Sequence, residues 1–389
     1  MKQLSKIMLA AVASVAIAAP ALAWDFGASG SSSAKWMSRT TNSGAEGAVD
    51  SNPVAFSSSA GGVTVSSSNS DGANSATFSY TADFNSDSGA LNFDEYVTVS
   101  GSKKVGNWTA SSSTSQYMQK DSTAGTPMTS NGSAVITLTD GSITYKLGDA
   151  AHLSTAEKTS NGPMDGAVDA EARVDSFNGF SVGLGVGPGT LTVALDMNNG
   201  GSLFGDKPVE IACGGGTTGY GLNFAGDVGA DLSFTFGTGS TAPSAAGCTG
   251  DNASNAASAT VMGLGVGIPM GDITIGLDYE STAWNDTTAT VETKNAQSGF
   301  EISVTMGGIA DGTAGINISS NATSQTVGTA DATTGSASGT ELWWTVPIGP
   351  VSLAVGYGSD SYTTGAGTAA SPTVTALDTQ MGAEMSMSF

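Results

Sequence analysis

The feature that most constrains the fold is a two-residue alternation of apolar and small polar side chains, repeated in short segments along most of the chain. Thr190–Met197 is typical, with leucine, valine, leucine and methionine on one parity and threonine, alanine and aspartate on the other. Side chains of a strand point alternately to its two faces, whereas helical amphipathicity repeats every 3.6 residues. The sequence therefore predicts an all-β protein.

The connections between these segments alternate in length. The short ones are Asp140-Gly141, Gly187–Gly189, Asp227–Gly229, Pro269–Gly271 and Ile348–Pro350. The long ones are His152–Val168, Asn198–Thr218, Gly239–Ala257, Asn321–Gly339 and Ser359–Thr375. Outer-membrane barrels have short turns at one end and longer loops at the other. A soluble β-sandwich would also alternate in hydrophobicity, but it gives no reason for short and long connections to take strict turns, so a membrane barrel is favoured.

The segments number about eighteen, or sixteen if Val54–Ser67 or Asp94–Tyr117 are loop excursions. Roughly 20 residues per strand and connection accommodate a spanning strand of about 9–11 residues. The expected fold is a transmembrane antiparallel up-and-down β-barrel of 16–18 strands over residues 24–389, wide enough to leave an aqueous channel. Inward-phase glycines such as Gly183 and Gly265 leave wall space unfilled, which is consistent with an open bore or with sheet bends.

Residues 1–23 have the pattern of a secretory signal peptide. Lys2 and Lys6 form a basic start, Ile7–Ala19 is apolar, and Ala21–Ala23 matches an A-x-A cleavage site. We expect export, cleavage before Trp24 and localisation in the outer membrane. No later segment offers the ~18 apolar residues of a spanning helix.

The last strand, Asp378–Phe389, alternates throughout and ends in phenylalanine. It is similar to the assembly signal of Gram-negative outer-membrane barrels. With the opening strand Trp24–Ser38 and the block Ser142–Gly187, it makes the chain resemble the general bacterial porin family.

This resemblance implies that Ala150–Val168 folds into the pore as a constriction loop and that the chain forms a homotrimer. It also implies that the barrel-assembly machinery recognises Phe389 and that the barrel contacts outer-membrane lipid and lipopolysaccharide. The chain departs from the family in two respects. The loop lacks a Pro-Glu-Phe-Gly type turn, and a facing arginine cluster is missing, because Arg39 and Arg173 are the only arginines.

Composition excludes several function classes. Only 12% of residues are charged, with 34 acidic against 12 basic residues and a net charge of −22. So few basic residues cannot line a nucleic-acid groove. One histidine and two cysteines cannot supply the usual zinc ligands, and no cofactor is expected.

In a membrane barrel the apolar parity faces lipid, so the polar parity lines the lumen. The inward acids are Asp83, Glu171, Asp175, Asp196, Asp278, Glu280, Glu301, Glu341 and Glu384, against the bases Lys146 and Arg173. Carboxylates lining a wet pore favour cations, which predicts a cation-preferring diffusion channel for small hydrophilic solutes. The alternative is a solvated wall without net selectivity. In the loop, Glu157, Asp165 and Asp169 are candidate eyelet acids, opposed by Lys146, Arg173 and Lys35.

Cys213 and Cys248 fall in neighbouring long loops on the same expected side. The exported compartment is oxidising, so we expect a disulfide between them. Asp71, Asp87 and Asp360 are weak candidates for divalent cations, because none has full EF-hand spacing.

Two rival functions stay open. A hydrolase would depend on His152, the only histidine, which we expect to be a solvated loop side chain, and no Gly-x-Ser-x-Gly motif accompanies it. A non-conducting surface barrel with an adhesive or envelope-structural role is compatible with the Ser/Thr-rich loops.

Overall fold

A computed structural model describes residues 25–42, 49–87, 90–119, 133–162, 176–196, 217–241, 254–288, 291–330, 332–365 and 374–389. The signal peptide expected over residues 1–23 lies outside these ranges. Every regular element within them is a β-strand. None of the described ranges contains a helix long and apolar enough to cross a membrane.

The described residues form eighteen strands. They are β1 (Asp25–Asn42), β2 (Val49–Ser70), β3 (Asn74–Asp87), β4 (Ala90–Val105), β5 (Trp108–Gln119), β6 (Ser133–Thr139), β7 (Ile143–Ala150), β8 (Phe177–Val186), β9 (Gly189–Asp196), β10 (Thr217–Asp227), β11 (Asp231–Thr241), β12 (Ser254–Met270), β13 (Ile273–Thr288), β14 (Val291–Ile309), β15 (Gly312–Val327), β16 (Thr333–Ile348), β17 (Val351–Gly365) and β18 (Val374–Ser388).

Successive strands pair antiparallel, as β13 does with β12 and β14. All eighteen belong to one sheet, and β1 pairs with both β2 and β18, which closes the sheet into a barrel. The predicted fold class is therefore confirmed, with the larger of the two expected strand numbers. The pieces that could have been loop excursions are strands β2, β4 and β5.

The chain divides into two compact units. The first consists of the described residues within Met1–Ser32, Ser58–Asp140 and Ser388–Phe389. Its strands carry rows of hydroxyl side chains that pair across the sheet. The hydroxyl oxygens of Thr64 and Thr81 lie 2.9 Å apart, and those of Ser75 and Ser102 lie 2.7 Å apart. A hydroxyl both donates and accepts, so these rows make a polar, uncharged surface.

The second unit, Ser33–Ser57 with Gly141–Met387, has its burial inverted relative to a water-soluble protein. On β13, Asp278 and Glu280 are 5% and 0% exposed, while Leu277 and Tyr279 between them are 36% and 40% exposed. The same inversion continues on β14, where Glu301 is buried and Phe300 is exposed. An apolar outer surface of this kind is stable in lipid rather than in water.

The short turns occur where the sequence predicts them, and glycine makes them tight. Gly141 has φ of 92° and Gly349 has φ of 62°, which side-chain-bearing residues rarely adopt. Ala310 and Asp311 make a comparable two-residue turn with positive φ at both positions, the pattern of a type I′ hairpin.

The prediction of a long loop is wrong at two places in the chain. Residues 321–339 are mostly strand, since Asn321 pairs with Ala337 in the ladder between β15 and β16. Residues 359–375 likewise include the end of β17 and the start of β18, and Asp360 lies in β17 rather than in a loop. Ser, Thr, Ala and Gly in these segments give no hydrophobic contrast, so the alternation is invisible although the backbone pairs regularly.

Candidate functional site

Residues 151–162 follow β7 and run across the polar face of the second unit; we call them the crossing segment. The carbonyl of Ser154 accepts a hydrogen bond from Thr235 on β11, and the amide of Gly162 donates to Glu341 on β16. Five strand spacings of about 4.8 Å separate these contacts, or roughly 24 Å. Eight residues span at most about 26–29 Å. The segment therefore passes across the polar face from β11 to β16.

His152 anchors the start of the crossing segment. Its Nδ1 lies 2.9 Å from Ser181 Oγ and its Nε2 lies 2.9 Å from the carbonyl oxygen of Gly148. A carbonyl only accepts, so Nε2 carries the proton and the Ser181 hydroxyl donates to Nδ1. The imidazole also packs against the Phe177 ring, with centroids 4.7 Å apart. The prediction of a solvated histidine is wrong, because the side chain is only 4% exposed.

The surroundings of His152 favour the neutral imidazole. Burial lowers the pKa of His152 below its ordinary value of 6.5, the nearby Lys146 ammonium lowers it further, and hydrogen bonding to backbone carbonyls offsets part of this. Lys146 also donates from Nζ to the carbonyl of Ala151, 3.1 Å away. The first residues of the segment are thus tied to the end of the strand that precedes them.

An apolar cluster receives the next residue, Leu153. Its other members come from three strands, Phe177 from β8, Ala194 from β9, and Ala259 and Val261 from β12, and Trp284 of β13 packs alongside. A methyl group at Gly221 would overlap the Leu153 side chain. Sequence reasoning missed this cluster, since its residues sit in the polar parity of their strands.

Asp278 holds the middle of the segment. Its carboxylate accepts from the Lys158 amide at 2.8 and 2.9 Å, from the Thr159 amide at 2.7 Å and from the Thr159 hydroxyl at 2.6 Å. The ammonium of Lys158 lies 2.9 Å from Asp231 at the start of β11. Charge-assisted hydrogen bonds to backbone amides are among the stronger ones in proteins. Asp278 therefore binds the segment through two consecutive backbone amides and one side chain.

The end of the segment binds three further strands. The Ser160 amide donates to Ser303 Oγ at 2.9 Å. The amide group of Asn317 donates to the Ser160 carbonyl at 3.3 Å and also to the carboxylate of Glu301. Glu341 accepts from the Gly162 amide at 3.1 Å. Polar side chains from β14, β15 and β16 thus satisfy the backbone of an irregular segment that no ladder could satisfy.

Glycines beneath the segment allow its close approach. A methyl group at Gly265 would overlap the carbonyl oxygen of Ala156, and one at Gly276 would overlap that of Lys158. The expectation that Gly265 leaves an open space along the wall is wrong, because the segment fills that space.

The described pore-lining candidates fall into two groups. Asp196, Asp278, Glu280, Glu301 and Glu341 are buried. Lys146, Glu157 and Glu384 are exposed or partly exposed, as is Asp83. Outside the described residues lie the other pore-lining candidates, Asp165, Asp169, Glu171, Arg173 and Asp175. The two cysteines predicted to form a disulfide, Cys213 and Cys248, also lie outside them.

A second charged cluster was not predicted. Arg39 on β1 forms an ion pair with Asp378 on β18. Asp378 stands opposite Asp360 of β17 in the ladder, and both carboxylates are nearly fully buried. Asp378 is an even number of residues from Gln380 and Glu384, so the alternation along β18 places all three on the polar face. The sequence pattern could therefore have predicted that Asp378 lies there.

The weak candidates for divalent cations do not assemble a site. Among the residues that the structure describes, no three His, Cys, Asp or Glu side chains are grouped to hold a metal. Asp71 caps its own turn, accepting from the amides of Ala73 at 3.0 Å and Asn74 at 2.6 Å. Hydrogen bonds from the Asn74 side chain and from these amides lower the pKa of Asp71.

No family model and no curated protein matches this sequence. Solved structures do resemble it. The outer membrane channel DcaP of Acinetobacter baumannii is 11% identical, with 94% of this chain and 97% of that chain covered and a TM-score of 0.51. At this identity the likeness concerns the fold, which is that of an outer-membrane channel.

Two further structures align over similar lengths with lower scores. An anion-selective porin from Comamonas acidovorans is 9% identical over 94% of this chain and 100% of that chain, with a TM-score of 0.45. OmpT of Vibrio cholerae, an outer membrane protein in trimer form, is 11% identical over 94% and 100%, with a TM-score of 0.47.

Proposed function

We propose that this protein is an outer-membrane porin that forms a water-filled passive channel for small hydrophilic solutes and ions, with a preference for cations. The observation that carries the proposal is the crossing segment held against a buried polar face, inside a sheet whose other face exposes large apolar side chains. A barrel with a polar interior and an apolar exterior facing lipid can hold water in its lumen and let hydrophilic solutes cross the membrane. An irregular segment along that interior would narrow it.

The charge of the polar face supports the cation preference. The acids of this face outnumber its bases in the second unit, where Lys35, Arg39, Lys146 and Lys158 are set against a larger number of carboxylates. These carboxylates include Asp196, Asp278, Glu280, Glu301, Glu341, Asp360 and Asp378. Negative potential along a wet pore raises the local concentration of cations and lowers that of anions.

A hydrolase is disfavoured by the surroundings of its best candidate pair. Ser181 and His152 are hydrogen-bonded, as a nucleophile and its base would be. Both side chains are buried, and the other imidazole nitrogen is held by the Gly148 carbonyl. The pair is placed to attach the segment rather than to meet a substrate.

Planar-bilayer recording of purified protein under a KCl gradient tests the proposal. Stepwise conductance with a reversal potential that favours K⁺ is expected, and steps in groups of three would accord with the homotrimer suggested by the porin resemblance. Anion preference would keep the channel and refute the charge assignment. Absence of conductance from folded, heat-modifiable protein would refute the channel and favour the adhesive or structural barrel.

The remaining parts of the proposal follow the sequence. Export would proceed through cleavage after Ala23, and assembly would use the C-terminal strand with Phe389 as the recognised residue. Mass spectrometry of the mature N-terminus and outer-membrane fractionation test the first part. Deletion of Phe389, followed by measurement of the heat-modifiable fraction, tests the second.

A further inference from the structure

The strands of the first unit carry a regular array of hydroxyl side chains on one face. Residues that stand opposite one another in successive ladders form three parallel rows of five across β2–β6. The first row consists of Ser70, Ser75, Ser102, Ser111 and Thr137, and the other two rows pass through Ser100 and Thr98 on β4. Val135 is the one position in these rows that is neither serine nor threonine. We call this surface the hydroxyl array.

The hydroxyl array lies on the inner face of the sheet. Val99 on β4 and Ile136 on β6 alternate with its positions and are 55% and 57% exposed on the opposite face. Apolar side chains of this kind contact lipid in a membrane barrel, so the hydroxyls face the lumen. Adjacent strands lie about 4.8 Å apart and alternate residues of one strand about 6.8 Å apart. The array therefore presents closely and regularly spaced hydroxyl groups.

A cavity of about 310 Å³ opens on the hydroxyl array. Seven of its nine lining residues belong to the first two rows, and none of the nine is charged. The volume is at the lower end of the range for small-molecule sites. The cavity thus combines the size of a small-ligand site with a lining made almost entirely of hydroxyl groups.

We propose that the hydroxyl array binds neutral polyhydroxylated solutes, such as sugars and polyols, at this cavity. The proposal rests on the channel function for access of the solute, and it assigns a substrate class to this wall. A hydroxyl donates one hydrogen bond and accepts two, and so does each hydroxyl of such a solute. The Val135 side chain offers an apolar contact to the C–H groups of the ligand. A charged solute would lose hydration there without meeting an opposite charge.

Pairs within the array are already ordered. The hydroxyl oxygens of Ser75 and Ser102 lie 2.7 Å apart, as do those of Thr98 and Ser115. The bond within each pair uses one of its two hydroxyl protons, so the other proton is available to a ligand. Side chains that are ordered before binding lose less conformational entropy when a ligand arrives. This part of the wall is therefore preorganised for binding.

The charged residues of this face of β4 stand at the ends of the strand. Asp94 lies toward the long connection and Lys104 at the short turn, and the inner positions between them are uncharged. The inner face of β4 thus has an uncharged middle, where the cavity lies. This distribution favours a neutral ligand over an ion.

Saturation-transfer NMR with D-glucose measures binding to detergent-folded protein without conduction. Glucose is expected to bind with a millimolar dissociation constant, because water competes for every hydroxyl group. Thr137→Val replaces a lining hydroxyl by a methyl group with little change in size, and it should weaken binding about threefold or more. Ser111→Ala, opposite Thr137 in the ladder, should weaken it similarly. Thr114→Val is the matched control, since Thr114 stands opposite Val99 on the outer face.

Two outcomes of the NMR experiment would overturn the proposal at once. One is absence of glucose binding to heat-modifiable protein, and the other is an equal loss of affinity in Thr137→Val and Thr114→Val. Tighter binding of glucose 6-phosphate that Lys104→Gln abolishes would also overturn it, because the site would then be an anion site at the turn. Fully O-methylated glucose, which has no hydroxyl protons, is expected not to bind; binding equal to that of glucose would refute recognition through hydroxyl groups.

Planar-bilayer recording of the same protein decides the channel function separately. Protein that binds glucose but does not conduct would refute the channel and retain the binding site. Protein that conducts but does not bind glucose would refute the binding site and retain the channel.

Discussion

The imidazole Nδ1 of His152 lies 2.9 Å from the hydroxyl oxygen of Ser181, so the only histidine of the chain joins the crossing segment to β8. In the neutral ring, Nδ1 accepts the proton of the hydroxyl while Nε2 donates to the Gly148 carbonyl. Protonation would reverse the Nδ1–Ser181 hydrogen bond and place a positive charge in buried surroundings, which burial disfavours. The attachment is therefore sensitive to acid.

The first prediction concerns this sensitivity. The folded pKa of His152 is lower than its unfolded value of 6.5, so the stabilisation from the neutral ring is complete above pH 6.5 and is lost as the pH falls toward the folded pKa. Hydrogen exchange of residues 149–156 is expected to rise between pH 7.5 and pH 5, after correction for intrinsic rates. His152→Gln, which keeps a donor and an acceptor, should remove that pH dependence. An equal dependence in both proteins would contradict the prediction.

The second prediction concerns the space beneath the segment. Gly265→Val places a branched side chain where the carbonyl of Ala156 lies, so the segment must shift or the strand must bend. Overpacking of this kind costs about 1–3 kcal/mol. We expect a lower unfolding temperature and a changed unit conductance.

Gly267→Ala is the control for Gly265→Val. It lies two residues along the same strand, and an added methyl group there would meet Asp231 at an ordinary 3.5 Å. Equal effects of the two substitutions would show that glycine itself, rather than the approach of the segment, determines stability at these positions.

The alternation of side chains predicts the barrel because each spanning strand needs apolar side chains on the face that contacts lipid. Leu277 and Tyr279 carry that signal clearly on β13. The signal is absent where the side chains on both faces are small or polar, as around Asn321 and Asp360, and there the sequence predicts loops where the structure has strands. Backbone pairing continues in such segments without any hydrophobic contrast to report it.

Parity also placed Asp278, Glu301 and Glu341 on the polar face, but it could not show what covers them. That depends on a segment more than a hundred residues away in sequence, whose path is set by tertiary contacts such as Thr159 with Asp278. Gly265 was ambiguous for the same reason. A glycine in a wall strand can border water or a backbone, and only the position of Ala156 distinguishes the two.

The third prediction concerns Arg39. Its guanidinium pairs with Asp378, which faces Asp360 across the ladder, so Arg39→Met would leave two buried carboxylates opposed without their cation. Removal of one partner from a buried ion pair lowers the free energy of unfolding by about 3–5 kcal/mol. Because the Arg39 side chain is half-exposed and solvent screens its charge, we expect a loss of about 3 kcal/mol or less here. The temperature at which heat-modifiable migration is lost should fall. Adding Asp378→Asn to Arg39→Met is expected to recover part of the loss; no recovery would show that Arg39 acts through its packing.

The last prediction concerns the junction of the first and last strands. Gly30 and Phe389 exchange two backbone hydrogen bonds, with the Gly30 amide 2.7 Å from the Phe389 carbonyl and the reverse pair at 2.9 Å. A methyl group at Gly30 would lie 2.6 Å from the Phe389 ring and 2.9 Å from the carbonyl oxygen of Gly62. The ring can turn away, but the Gly62 backbone cannot, so Gly30→Val is expected to slow closure of the barrel. The rate at which the heat-modifiable band forms during refolding into detergent measures this.

Phe389→Ala in the Gly30→Val background separates the two contacts. Continued slow folding identifies the Gly62 carbonyl as the obstacle, and recovery of the parent rate identifies the Phe389 ring. If Gly30→Val refolds at the rate of the parent protein, the close packing of Gly30 against Phe389 and Gly62 does not limit closure of the barrel.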